Sequence, residues 1–313
     1  MMAKVEKQVK FFYYIKAYLR RILPTTSYSV KIKELERSLS ASQLELVASR
    51  VNYYCRSSVK SSKSAPCCTL KDLRSPVTPK TYYHDTYEYA RFFPEELPIN
   101  FVFGDVTTVP DLPSIVKSRP VAADNNNSVL LNLDKARHFV WVHNDQPFHT
   151  KKDVLIGRGA VFQEHRYHFF SQYFGHPLCD LGQVNAQGGN PLWIKKKISI
   201  ADHLNYKFIL CLQGNDVATN LKWVMSSNSI AVMPKPTLET WFMEGSLVGG
   251  VHYIEIKDDY SDLEAQLQHY LAHPDKCRII LENAHSHCEQ FFNRKVEDLC
   301  SLKVLEKYLV TGE

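Results

Sequence analysis

The chain has 313 residues, 44% of them hydrophobic, enough for two domains with buried cores, and this excludes a disordered chain. Its formal charge of +5 is unevenly spread: residues 1–80 hold 16 Lys and Arg against 5 Asp and Glu, and the remainder is mildly acidic. A basic head on an acidic body points to an anionic surface as partner.

Residues 4–23 read as a helix. Val5, Val9, Phe12, Leu19 and Ile22 follow helical spacing, Lys4, Lys7, Lys10, Arg20 and Arg21 supply charge, Tyr13, Tyr14 and Tyr18 add amphipathic rings, and Pro24 ends the segment. Two readings fit: an interfacial membrane helix, or a helix packed on the body with its lysines solvated. A second helix is predicted over 42–54, with Ser42 and Glu45 spaced as a capping box. Residues 56–80, rich in Ser, Lys, Thr and Pro, read as a loop or linker. No DNA- or RNA-binding motif accompanies this basic region, so nucleic acid is not an expected partner.

From residue 98 apolar strands are predicted at 99–103, 129–133, 138–142, 206–212, 229–233 and 252–256. Helices are predicted at 164–174, 217–227, 261–272, 274–292 and 296–309. Strands alternating with helices argue for an α/β protein with parallel sheets. There is no internal repeat, Walker loop or dinucleotide GxGxxG fingerprint.

No apolar run approaches the roughly 20 residues of a membrane-spanning helix. Lys10, Lys16, Arg20 and Arg21 interrupt the pattern of a signal peptide, so the expected location is the cytoplasm. The eight cysteines form no compact framework, and reduced thiols are expected.

Residues 206–241 carry most of the information. Tyr206 to Leu212 reads as a buried strand, Gln213 to Asp216 as a turn, and Val217, Leu221, Val224 and Met225 as one face of a helix, before a short apolar run from Ile230 to Met233. That order sets a helix N-terminus at the carboxyl edge of a parallel sheet, where free N–H groups and the helix dipole favour anions. Lys222 adds a full charge.

The segments GNDVATNLKW, SSNSIAVMPKP, ETWFMEG and IKDDYSDLE resemble glycosyltransferase family 90, most closely its bacterial branch acting on the lipopolysaccharide core; the similarity runs from about Val47 onward. The resemblance implies two Rossmann-like domains facing a cleft (the GT-B arrangement), here with an N-terminal helical extension. The expected parts are a basic extension over 1–55, an acceptor-side domain over 56–150 and a nucleotide-sugar-binding domain over 151–313. The last helix is expected to cross back to the first domain. The resemblance further implies inversion at the anomeric carbon and catalysis without a bound divalent metal, the only small partner being a UDP-sugar donor.

Sugar transfer needs a base for the acceptor hydroxyl and stabilisation of the departing diphosphate. Asp105, in FVFGDVTTVP, follows a predicted strand and occupies a context similar to that of the family's proposed base; a turn Asp is the alternative. Arg158 and Arg166, in IGRGAVFQEHRYHF, resemble an RG…R element beside the nucleotide, with Gly157 and Gly159 allowing close backbone approach. The loop Gly214, Asn215, Asp216, Val217, Ala218, Thr219, Asn220 and the following Lys222 are expected to hold phosphates or sugar hydroxyls. Asn220 stands where eukaryotic members carry arginine, which shifts the charge onto Lys222, Arg158 and Arg166. Glu239 is the candidate ribose contact by fold analogy, while Trp241 fits either a site or core packing and Phe242 fits the core. Lys257 to Asp262 reads as a helix start, with Ser261 and Glu264 as a capping box, rather than a metal site. His285, His287 and Cys288 read as solvated side chains of a surface helix, since the spacing matches no zinc pattern.

The resulting expectation is a hexosyltransferase using a UDP-hexose, with the inner core of bacterial lipopolysaccharide or lipooligosaccharide as acceptor and the inner-leaflet membrane surface as a peripheral partner. A protein or capsule-polysaccharide acceptor, and a non-catalytic sugar-nucleotide or lipid binder, remain open at this stage.

Overall fold

The computed structural model describes residues 3–56 and 68–310. By backbone proximity the chain forms two units, each assembled from three stretches: residues 1–7, 138–236 and 246–289 in one, and 8–137, 237–245 and 290–313 in the other.

The first unit is organised by a parallel sheet. In chain order its strands are β1 (Lys152–Gly159), β2 (Cys179–Gln183), β3 (Tyr206–Leu210), β4 (Ile230–Met233) and β5 (Ile254–Glu255), and in space they run β2-β1-β3-β4-β5. Ile156 of β1 lies opposite Asp180 of β2 and Ile209 of β3, which in turn faces Ala231 of β4. Strands covered on both faces read as unbroken apolar runs, and Phe208, Ile209, Ile230 and Val232 are all buried. Leu155, Phe169, Phe208, Val232, Ile254 and Leu263 lie at the centre of the core. A sheet with this strand order reverses direction between β1 and β3, and there the connecting loops part to leave a crevice at the carboxyl ends of the strands.

Local chemistry explains where the elements depart from expectation. Lys4–Glu6 is not helical but a strand paired antiparallel with Trp141–His143, Val5 facing Val142, and the helix begins only at Lys10 and runs to Leu19. The predicted strand at 138–142 starts three residues late, because Lys135–His138 forms a helical turn. The helix expected at 217–227 shrinks to Leu221–Met225, and residues 211–220 form its entry loop. The helix expected from 261 starts at Leu263 without the Ser261–Glu264 box; Asp262 instead accepts from the Lys257 N–H at 2.9 Å. β1, β2 and the strands Ser114–Val116, Ser118–Pro120 and Leu238–Thr240 were not anticipated, nor were the helices Tyr28–Arg37 and Lys80–Ala90.

The second unit contains a three-stranded parallel sheet in the order Phe101–Val102, Ser114–Val116, Ser128–Leu130. Helix Ala41–Tyr54 begins one residue before the predicted start, and its capping box is Ser40 with Gln43 rather than Ser42 with Glu45. Part of the predicted 56–80 linker is structured: Cys68–Thr69 pairs with Pro98–Ile99, and Leu70–Arg74 is a 3-10 turn; residues 57–67 lie outside the described residues. Helix Arg294–Leu309 is largely buried from Val296 onward, with Val296, Leu299, Leu302, Leu305 and Tyr308 in the core, and packs on the helices at 28–37, 41–54 and 80–90. Trp241 and Phe242 are core residues here: Trp241 stacks on Tyr54 at 3.8 Å between centroids and donates its indole N–H to Glu297 at 2.7 Å. Among the described residues, no helix is long and apolar enough to cross a membrane.

Candidate active site

In the first unit a cavity of about 250 Å3 opens at the reversal point between β1 and β3. Its lining includes Gly157, Arg158, Gly159 and Ala160 from the end of β1, Leu210 and Leu212 from the end of β3, and Thr219 and Asn220 from the following loop. Arg166 reaches it from helix Glu164–Tyr173, and Phe170, His203 and Trp223 complete the wall. Gly157 leaves room for its neighbours: a Cβ there would stand 2.9 Å from the Leu181 side chain and 3.0 Å from that of Leu210, which would have to shift.

Arg166 bridges the two strand ends. Its Nη1 donates to Ala160 O at 2.8 Å beyond β1, while Nη2 and Nε donate to Leu212 O at 2.9 Å and Gln213 O at 2.7 Å beyond β3. All three acceptors are neutral carbonyls, and no carboxylate pairs with it among the described residues. Burial therefore pulls its pKa down, although a guanidinium remains charged at neutral pH. A half-buried cation without a counter-ion favours an anion in the adjoining cavity.

Arg158 is compensated differently. Its Nη2 donates to Asp180 Oδ1 at 2.8 Å, and Asp180 also accepts from Lys195 and from the Tyr206 hydroxyl. Burial alone would raise the Asp180 pKa, but the bonds from Lys195 and Arg158 prevail and hold it below the usual range. Arg158 Nε is buried without a hydrogen-bond partner among the described residues.

The 214–220 loop folds back over the strand end. Asn220 Nδ2 donates to Leu210 O at 2.9 Å, and Gln163 Nε2 donates to Asn215 Oδ1 at 3.0 Å. Val217, Ala218 and Asp216 are buried, and Gly214 lies beside the Arg166 guanidinium. With only Leu221–Met225 helical, the dipole behind this loop is that of a single short turn, so the positive character of the cavity comes from side chains. Lys222 departs from expectation. It is fully buried, its Nζ lies 5.7 Å from the centroid of the Phe139 ring, and it does not line the cavity. The helix carrying His285, His287 and Cys288 is not a solvated one: Cys288 and His287 are buried and His285 contacts Ser227 O at 2.8 Å.

Two further residues lie in the second unit. Asp105 follows strand Phe101–Val102 and forms an ion pair with Lys117, which follows the adjacent strand, so both stand at the carboxyl edge of the small parallel sheet. Gly104 makes the turn possible: its φ of +127° is a conformation side chains rarely adopt. Lys117 is almost wholly buried and Asp105 about a quarter exposed. The ion pair thus orients the carboxylate at a site open to solvent. Glu239 lies in strand Leu238–Thr240; Arg119 and the Tyr53 hydroxyl both bond its carboxylate.

His203, Trp223 and Asp180 escaped sequence reasoning. His203 closes a one-turn helix whose capping box, Ser199 with Asp202, was legible, and its Nδ1–H donates to Ser199 O at 2.8 Å. Burial lowers its pKa, which favours the neutral ring. Asp180 carried no local signal, because its role depends on β2 lying beside β1. Among the described residues, no three His, Cys, Asp or Glu side chains are grouped to hold a metal ion.

A parallel α/β unit with a cationic crevice at its reversal point suits an anionic ligand, and comparison with known proteins gives the class: the protein is a glycosyltransferase. The family model "Glycosyl transferase family 90" matches residues 184–309. The chain is 44% identical over 230 residues to the O-glucosyltransferase LpsA of Dichelobacter nodosus, covering 74% of this chain and 72% of that protein. It belongs to glycosyltransferase family 90.

Proposed function

We propose that this enzyme transfers a hexose from a UDP-sugar to a hydroxyl on the inner core of bacterial lipopolysaccharide or lipooligosaccharide, with inversion and without a metal ion. The observation that carries the donor assignment is Arg166, a cation at the β1–β3 crevice with no carboxylate partner among the described residues. The diphosphate lies in that cavity against Arg166 and Arg158, with Gly159, Thr219, Asn220 and the loop from Gly214 around it. These fixed donors stabilise the charge that develops on the departing diphosphate. Asp105 is the base. The acceptor oxygen attacks the anomeric carbon, its proton passes to the Asp105 carboxylate, and the bond to the diphosphate breaks to release UDP. The architecture in this reading is GT-B, with donor chemistry in one unit and the base in the other.

The lipopolysaccharide acceptor is supported by the similarity to LpsA, and the enzyme works at the cytoplasmic, inner-leaflet membrane surface. The test is incubation of the protein with UDP-glucose or UDP-galactose and a truncated lipopolysaccharide core, in chelator, with UDP release and product mass measured. One added hexose with equal UDP release is expected. UDP-sugar binding without any release points to a binder, and transfer to a protein or capsule glycan alone overturns the acceptor assignment.

A further inference from the structure

Helix Lys10–Leu19 is held to its unit by polar atoms. The Tyr13 hydroxyl donates to Asp85 Oδ1 at 2.9 Å, Arg20 forms an ion pair with Glu88, and Arg21 Nη2 contacts His84 Nδ1 at 3.3 Å. Only Tyr13 and Ala17 of the helix are buried. Its apolar side chains point the other way: Phe11, Phe12, Ile15, Leu19, and beyond the helix Ile22 and Leu23, are each at least 40% exposed. A soluble amphipathic helix does the opposite, burying its apolar stripe and solvating its polar one. A contiguous apolar surface of this kind marks a docking face.

Charge identifies the occupant. No Asp or Glu occurs between Gln8 and Ser27, whereas Lys10, Lys16, Arg20 and Arg21 do. A second copy packed through a two-fold axis sets these cations against themselves. An anionic bilayer accepts both features, the apolar side chains entering the headgroup–acyl boundary and the lysines meeting lipid phosphates. At the flank of the helix lies a cavity of about 280 Å3, lined by Val9 and Phe12 and by four cations, Lys16, Arg20, Lys135 and Arg294, around a single carboxylate, Glu88. Asp85 stands behind Lys135 and Asp298 behind Arg294. Glu88 is shared by Arg20, Lys135 and Arg294.

We propose that residues 9–23 dock this protein on an anionic lipid bilayer and that the cavity beside the helix receives a lipid phosphate. The inference deepens the membrane partner of the proposed function and rests on that reading for its purpose, while its chemistry is independent of the donor site.

The test is co-sedimentation of the full chain with phosphatidylglycerol–phosphatidylcholine vesicles and with pure phosphatidylcholine vesicles. Binding to the anionic vesicles alone is expected, weakening with salt. The double substitution Phe11→Ser/Ile15→Ser, on exposed positions, should lower vesicle affinity by at least about tenfold. Lys16→Glu, at the cavity, should lower it by about fivefold or more. Circular dichroism confirms that both variants fold. Equal binding to the two vesicle types overturns the proposal, as does unchanged binding by either variant. So does a concentration-dependent dimer that Phe11→Ser/Ile15→Ser abolishes, which assigns the face to a second copy. UDP affinity is measured on the same samples: its absence with vesicle binding intact removes the donor reading and leaves the lipid site standing.

Discussion

Arg119 and Glu239 face each other directly across an antiparallel strand pair, Nε donating to Oε1 at 2.7 Å, and neither is measurably open to solvent. Arg119 Nη1 donates to the carbonyls of Ser128 at 2.9 Å and Tyr54 at 3.3 Å, and Nη2 to that of Tyr53 at 2.7 Å. Glu239 therefore acts in this arrangement as the counter-ion of a buried guanidinium. Glu239→Ala should cost about 3–5 kcal/mol of stability, because it strands that charge, whereas joint replacement with Arg119→Met and Glu239→Leu should recover much of the loss. Urea unfolding of the two variants and the unaltered protein measures this. A Glu239→Ala protein of normal stability with lost UDP binding returns Glu239 to the ribose.

Arg166→Ala should weaken UDP binding by about tenfold to a hundredfold, the worth of one charged hydrogen bond. Arg166→Lys should fall between the two, since an ammonium keeps the charge but loses the fork that spans Ala160, Leu212 and Gln213. Calorimetric titration with UDP decides, and an unaltered dissociation constant in Arg166→Ala ends the donor assignment.

Asp105→Asn should lower turnover by about a hundredfold or more while UDP affinity stays within twofold or so. The ion pair with buried Lys117 makes some loss of stability part of the expectation, so thermal unfolding accompanies the assay. Turnover near that of the unaltered enzyme removes Asp105 from the chemistry.

Lys222→Met should leave UDP affinity almost unchanged, because the ammonium is enclosed beside Phe139 and outside the cavity lining. A large, salt-sensitive loss of UDP binding restores it to the phosphate site.

His84 supplies a pH dependence. Burial, then Arg21, Lys80 and Arg20, push its pKa down to about 4. The unfolded chain binds the proton more readily, so the stability linked to neutral His84 is complete above the ordinary histidine pKa near 6.5 and is lost as pH falls towards 4. Denaturation midpoints between pH 7 and 4.5 should fall less steeply in His84→Gln than in the unaltered protein; parallel slopes contradict the assignment.

The sequence announced those elements whose signal is local. β3, β4 and the helices near 164 and 274 were legible because their apolar runs or periodicity are complete within a few turns. β1 was not: KDVLIGRG carries charge at both ends, and its strand character comes from lying between two neighbours. Arg158, Gly159, Arg166, Thr219 and Asn220 were named in advance and meet in one cavity. The burial of Lys222 and the pairing of Glu239 with Arg119 could not be read, since each depends on a partner distant in sequence. The short helix at 221–225 shows the same limit: the 3.6-residue pattern of 217–227 is present, but Asn220 satisfies Leu210 O and fixes the preceding residues as loop.

Helix Arg294–Leu309 packs on three earlier helices of a unit whose first elements are made from residues 8 onward. On a ribosome, those early segments must wait with their apolar faces uncovered until nearly three hundred further residues have been added, whereas the β1–β5 sheet has all its strands by residue 255. The β1–β5 sheet can thus fold during synthesis, and the unit carrying Asp105 only after it.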